Sequence, residues 1–137
     1  GSALEIACGT GQHAACFGAA LPGWRWQPTD WQDTLFPSVT GWCAQQGATH
    51  VQAPLRLDVT QSPWPSEGPT FTTPFDLVYC ANMLHIAPWE CCGGLMRGAA
   101  RHLGGPDAAM DEARQGGIVE HPVGVANDGA WFRSQIL

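Results

Sequence analysis

Four carboxylates stand where apolar strands begin or end: Glu5, Asp30, Asp58 and Asp76. An isolated buried charge is costly, so packing alone explains them poorly. Between the first two lies a glycine turn, Cys8-Gly9-Thr10-Gly11. Glycine lets the backbone come close to a bound molecule, and a helix start behind the turn offers unpaired N–H groups to an anion. Asp30 follows Gly11 by 19 residues, where a carboxylate can accept from the hydroxyls of a ribose. Asp58 can accept from an adenine amino group. This is the chemistry of nucleoside recognition. Gly9-x-Gly11-x-x-Ala14 alone fits a dinucleotide fingerprint, and it also fits a tight turn holding no ligand. Glu5 departs from the dehydrogenase form of that fingerprint, which has an apolar residue there.

The elements that must position these groups alternate. Residues 3–7 read as a buried strand, and 12–21 as a helix with Ala14, Phe17 and Leu21 on one face. Residues 24–27 read as a second strand. Pro37 suits the first turn of a second helix, and Gly47 its C-terminal cap. Residues 51–59 give a third strand. The proline-rich stretch 61–74 reads as a loop. Phe75 to Met83 is nearly continuous in apolar character, as a central parallel strand should be. Pro88 opens a helix with apolar Trp89, Cys92, Met96, Ala99 and Leu103, which Gly93, Gly94 and Gly98 weaken. The expected fold is therefore α/β and Rossmann-like, a mostly parallel sheet with helices on both faces. Ligands of such sheets bind at the carboxyl ends of the strands, where the motifs above fall.

Composition narrows the function. The 137 residues include 45% apolar types and carry a net charge of -6. The six cations are all arginine. So few cannot form the groove that displaces counterions from nucleic acid, nor a polybasic membrane anchor. No apolar run approaches the roughly 20 residues of a membrane span. No signal peptide is visible, and a cytoplasmic location is expected. Six cysteines at 8, 16, 43, 80, 91 and 92 show no disulfide framework and read as reduced thiols.

Leu4-Glu5-Ile6-Ala7-Cys8-Gly9-Thr10-Gly11 resembles the first motif of S-adenosylmethionine-dependent methyltransferases with a Rossmann-like fold. Further stretches resemble the methyltransferase-like protein 26 group, a domain family of poorly defined function. These are Gly11-Gln12-His13-Ala14, Trp26-Gln27-Pro28-Thr29-Asp30, Ala53-Pro54-Leu55, Leu57-Asp58-Val59-Thr60 and Cys80-Ala81-Asn82-Met83-Leu84-His85-Ile86. The resemblance spans residues 3–103 and implies S-adenosylmethionine as cofactor. It implies that Gly9 and Gly11 admit the methionine moiety, and that Glu5 organises the turn and the cofactor's amino group. Ala7 occupies the place of a glycine in the commonest methyltransferase pattern. Asp30 would bind the ribose, Trp31 stack on adenine, Asp58 and the Val59 backbone face the adenine edge, and Asn82 lie beside the methionine end. The resemblance also implies a fifth strand after Leu103, which the sequence does not display. The expectation is a methyltransferase-like domain at 1–105 and a divergent, weakly structured segment at 106–137 with no more than one weak strand. That fold is truncated relative to seven strands, and the bare edge of the Phe75 strand invites self-association.

Methyl transfer is an in-line displacement, in which the protein positions the acceptor and takes its proton. His85, beyond the fourth strand, is the candidate base, with a loop-bonding or helix-capping histidine as the alternative. His13, in the first turn of a helix, is better explained as neutral and structural. Trp89 and Tyr79 fit core packing, whereas Trp64, within the proline-rich loop, is open to a substrate role. Cys80, His85, Cys91 and Cys92 lack zinc-ligand spacing, and no metal is expected. The function expected is methyl transfer to a small-molecule acceptor. The alternatives are a catalytically inactive interaction protein and, third, a nicotinamide-dependent oxidoreductase.

Overall fold

The computed structural model describes residues 1–81, 83–104, 123–127 and 130–133, without the side chains of 84, 85 or the last two segments. The elements run β1 Ser2–Ile6, α1 Gln12–Ala20, β2 Arg25–Asp30, α2 Phe36–Gln46, β3 Leu55–Arg56, β4 Leu77–Ala81, α3 Met83–Ile86, α4 Glu90–His102, β5 Val123–Asn127 and β6 Ala130–Arg133. They form one sheet in the order β3-β2-β1-β4-β5-β6. The first five strands pair in parallel, and β6 pairs antiparallel with β5. The order reverses between β1 and β4, which makes their carboxyl ends the topological switch point.

Strand alternation sorts the core. Leu4 and Ile6 of β1 lie opposite Val78 and Cys80 of β4, and all four join Leu95 and Ala99 beneath α4. Ala3 points to the other face, where Ala14, Trp26 and Tyr79 pack with Phe17 of α1. Phe17 stacks on Trp26 with ring centroids 5.2 Å apart and meets Tyr79 edge-on at 5.3 Å. Pro37 sits in the first turn of α2, and Gly47 caps its end at φ 67°.

Several expectations change. Val123–Asn127 takes the fifth position, pairing Val78 with Val123 and Cys80 with Val125, and a hairpin partner follows. The segment 106–137 thus holds two strands rather than one at most, and the β4 edge expected to be bare is paired. Strand 51–59 shortens to Leu55–Arg56, with Val51 keeping only a bridge to Trp26. Phe75 bridges Leu103 outside β4, and Met83 already belongs to α3. The glycines of α4 do more than weaken it. A side chain at Gly94 would lie 2.3 Å from the Val59 carbonyl, and one at Gly98 would meet the Trp64 ring. These two positions, one turn apart, seat the 59–64 loop against the helix. Among the described residues, no helix is long and apolar enough to cross a membrane.

Candidate functional site

The glycine turn leaves β1 at the switch point and is tied to the end of β2. Ala7 and Gly9 both adopt left-handed backbone, at φ 58° and 53°. For alanine that conformation costs roughly 1–2 kcal/mol. Cys8 N–H donates to the Thr29 carbonyl at 2.9 Å, and Gly9 N–H donates to Asp30 Oδ2 at 3.0 Å. Thr29 Oγ1 donates to the Glu5 carbonyl at 2.6 Å. The two glycines differ in purpose. A Cβ on Gly9 would find nothing within 4 Å, so its face is open to an incoming molecule. A Cβ on Gly11 would lie 2.5 Å from Val39 Cα. Gly11 therefore serves the packing of α1 on α2.

Asp30 is half-buried at the mouth of this turn. Its second oxygen accepts from Gln32 N–H at 3.3 Å. A carboxylate has about four acceptor positions, so capacity remains for hydroxyls. Trp31 follows with 62% of its surface exposed, a large apolar ring beside the strand ends. Asp58 lies past β3, where its Oδ1 accepts from Thr60 N–H at 2.9 Å and Thr60 Oγ1 at 2.6 Å. Its own N–H donates to Ser66 Oγ at 2.7 Å. The neighbouring Val59 side chain is buried, and its carbonyl lies against Gly94 of α4.

Glu5 belongs to the underside of the site. It is 1% exposed, and its Oε2 accepts from the Trp26 indole N–H at 2.7 Å. Burial pushes its pKa from the ordinary 4.5 up to about 7; the indole bond lowers it, and Asp30 raises it further. The carboxyl thus braces β1 to β2 from within the core. Asp76, the fourth carboxylate, lies at the opposite, amino end of the central strands, accepting from Ser2 N–H at 2.7 Å.

Asn82 lies outside the described residues, as does the His85 side chain, although the His85 backbone is within α3. Of the aromatics, Trp64 is buried to 2% and stacks flat on His102 at 5.4 Å and 11°. Trp89 is 78% exposed just before α4. Burial removes Trp64 from the substrate role expected of it and exposure takes Trp89 out of the core, whereas Tyr79 is buried as expected. His13 is exposed and approaches the Tyr79 edge at 5.9 Å. All six cysteines are unpaired. Burial, with Glu5 and Asp30 adding, pushes Cys8 up to about 12, and burial does the same to Cys80. Neither can supply a thiolate near neutral pH.

A family model described as "Protein of unknown function (DUF938)" matches residues 1–110. Three solved structures share the fold. The glycopeptide N-methyltransferase MtfA is 16% identical with a TM-score of 0.59, over 75% of this chain and 45% of its own. Coclaurine N-methyltransferase, bound to N-methylheliamine and S-adenosylhomocysteine, is 13% identical with a TM-score of 0.59, over 76% and 28%. PKMT2 from Rickettsia typhi is 16% identical with a TM-score of 0.60, over 75% and 19%. MtfA has also been crystallised with S-adenosylmethionine. The fold is the Rossmann-like fold of these methyltransferases, and the chain spans less than half the length of each.

Proposed function

The chain belongs to the DUF938 family of proteins of unknown function, and we propose that it is an S-adenosylmethionine-dependent methyltransferase-like protein acting on a small-molecule acceptor. The observation that carries this reading is the link from Gly9 N–H, in the turn after β1, to Asp30 Oδ2 at the end of β2, with the open face of Gly9 and the exposed Trp31 ring beside these strand ends. In this reading Asp30 receives the ribose hydroxyls and Trp31 offers its face to adenine. Asp58 and the Val59 backbone meet the adenine edge, and Asn82 stands at the methionine end. Ala7 and Gly9 shape the turn, while Glu5 and Gly11 hold it from behind. The bound cofactor supplies a methyl group on a cationic sulfur, which suits an acid-rimmed site on a protein of net charge -6. His85 is assigned as the base that takes the acceptor's proton. Kinship with the methyltransferase-like protein 26 group and a cytoplasmic location belong to the same proposal.

The test is calorimetric titration of S-adenosylhomocysteine, with Asp30→Ala alongside. The expected result is saturable binding that the variant weakens by at least about tenfold, the worth of hydrogen bonds to a charged group. Equal binding by both proteins would remove Asp30 from the site. The second reading is a cofactor-fold protein that turns nothing over. A methyl-release assay over a mixed acceptor panel separates the two, since any cofactor turnover rejects the inactive reading.

A further inference from the structure

A second concavity lies away from the Gly9 and Asp30 turn, between α4 and the loop that follows Asp58. It has a volume of about 70 Å³, and its lining includes Thr60, Gln61, Ser62, Arg97, Arg101 and His102. Gly94 and Gly98 create it by letting the loop settle onto α4, with the Trp64 and His102 stack beside it. Arg97 and Arg101 are four residues apart on α4, so they stand on one face of the helix. Two like charges so placed repel. Among the described residues, no carboxylate lines the concavity. Asp58, the nearest carboxylate in sequence on the loop, is turned to Thr60. Elsewhere Arg56 pairs with Glu67, and among the described residues neither Arg97 nor Arg101 has a carboxylate within ion-pair distance. An acidic chain with few cations here lines one small polar hollow with two arginines, the Arg97 guanidinium lying next to Gly93 at its rim.

The hydrogen-bond arrangement suits an acceptor-only guest. Arg101 Nη1 donates to Ser62 Oγ at 2.6 Å, which leaves the Ser62 proton to donate elsewhere. The Gln61 amide and the remaining guanidinium N–H groups are further donors. The volume admits a small anion and no large organic body. We propose that this hollow is a binding site for a small tetrahedral oxyanion, either inorganic phosphate or the terminal phosphate of a small phosphomonoester. The planar guanidinium forks match the paired oxygens of such an anion. The hollow shares Val59 with the proposed adenine edge, but its guest contacts are the arginines and the loop, and its test uses no cofactor.

The experiment titrates the full chain with sodium phosphate, then phenyl phosphate, against sodium chloride at matched ionic strength. Backbone amide resonances and melting temperature are followed together. Saturable shifts at Gln61, Ser62 and Gly98, with a melting temperature raised beyond the chloride control, are the expected result. An Arg97→Gln/Arg101→Gln variant should weaken binding by about tenfold or more. Arg101→Lys, which keeps charge but loses the fork, should weaken it less. Response to phosphate alone assigns the free ion, and response to both probes admits the monoester. Phosphate acting no differently from chloride would overturn the proposal. So would shifts scattered away from this loop in the unmodified protein, a result that stands even where a variant fails to fold.

Discussion

Glu5→Gln should make this protein more stable at alkaline pH. The Glu5 carboxyl is enclosed between β1, β2 and α1, with the Trp26 indole N–H bonded to it at 2.7 Å. Its pKa rises from 4.5 to about 7 on folding, chiefly because burial penalises the charged form. A folded-state pKa above the unfolded one means that the native protein holds the extra proton between those values. The stability this supplies is complete below pH 4.5, falls between about 4.5 and 7, and is gone above 7. At about 1.4 kcal/mol per pH unit, the full loss is on the order of 3 kcal/mol. Glutamine has nearly the same shape, keeps an oxygen for the indole, and does not titrate. Urea unfolding of parent and variant from pH 4 to 8.5 isolates this one group, because other titrations cancel in the difference. The two should match near pH 4, and the variant should gain steadily to about 2–3 kcal/mol at pH 8 with unchanged m. A constant difference across that range, or a variant weaker at pH 8, would refute the reasoning.

Other changes test the packing and the site. Ala7→Gly should stabilise by about 0.5–1 kcal/mol, because relief of the left-handed alanine exceeds the entropic cost of glycine; a loss in chemical denaturation would contradict the turn's geometry. Gly98→Ala should cost about 2 kcal/mol or more, since the new methyl would overlap the buried Trp64 ring. Unchanged denaturant midpoints would show that the loop does not sit on α4 as described. Trp31→Ala should weaken S-adenosylhomocysteine binding by up to about tenfold. It should leave stability within about 0.5 kcal/mol, because the ring is mostly exposed. A large stability loss would place Trp31 in the core instead.

The architecture was legible where local and long-range signals agreed. Apolar runs bounded by Gly9, Pro37 and Gly47 mark strand and helix limits, and the alternating order yields the parallel sheet. The end was not legible. Val123-Gly-Val-Ala-Asn has little apolar mass, and only pairing with β4 makes it a strand. Asp128-Gly129, a dipeptide that favours two-residue hairpin turns, was the available signal for β5 and β6. Asp30 was correctly placed at a strand end, but Glu5 illustrates a limit. A charge in an apolar strand suggests ligand chemistry, whereas here the carboxyl satisfies an indole that burial would otherwise leave without an acceptor. Trp64 and Trp89 fail for a related reason. Helical spacing put Trp89 inside and loop composition put Trp64 outside, but the gap left by Gly94 and Gly98 draws the loop tryptophan in. The close approach of Gly11 to Val39 could not be read at all, because it depends on how α1 meets α2.

A crystal structure grown with saturating S-adenosylhomocysteine tests the central claim most directly. Density is expected across the carboxyl ends of β1 and β4, with the ribose on Asp30 and the adenine against Trp31. Empty density there at saturation, or the nucleoside bound elsewhere on the chain, would contradict it.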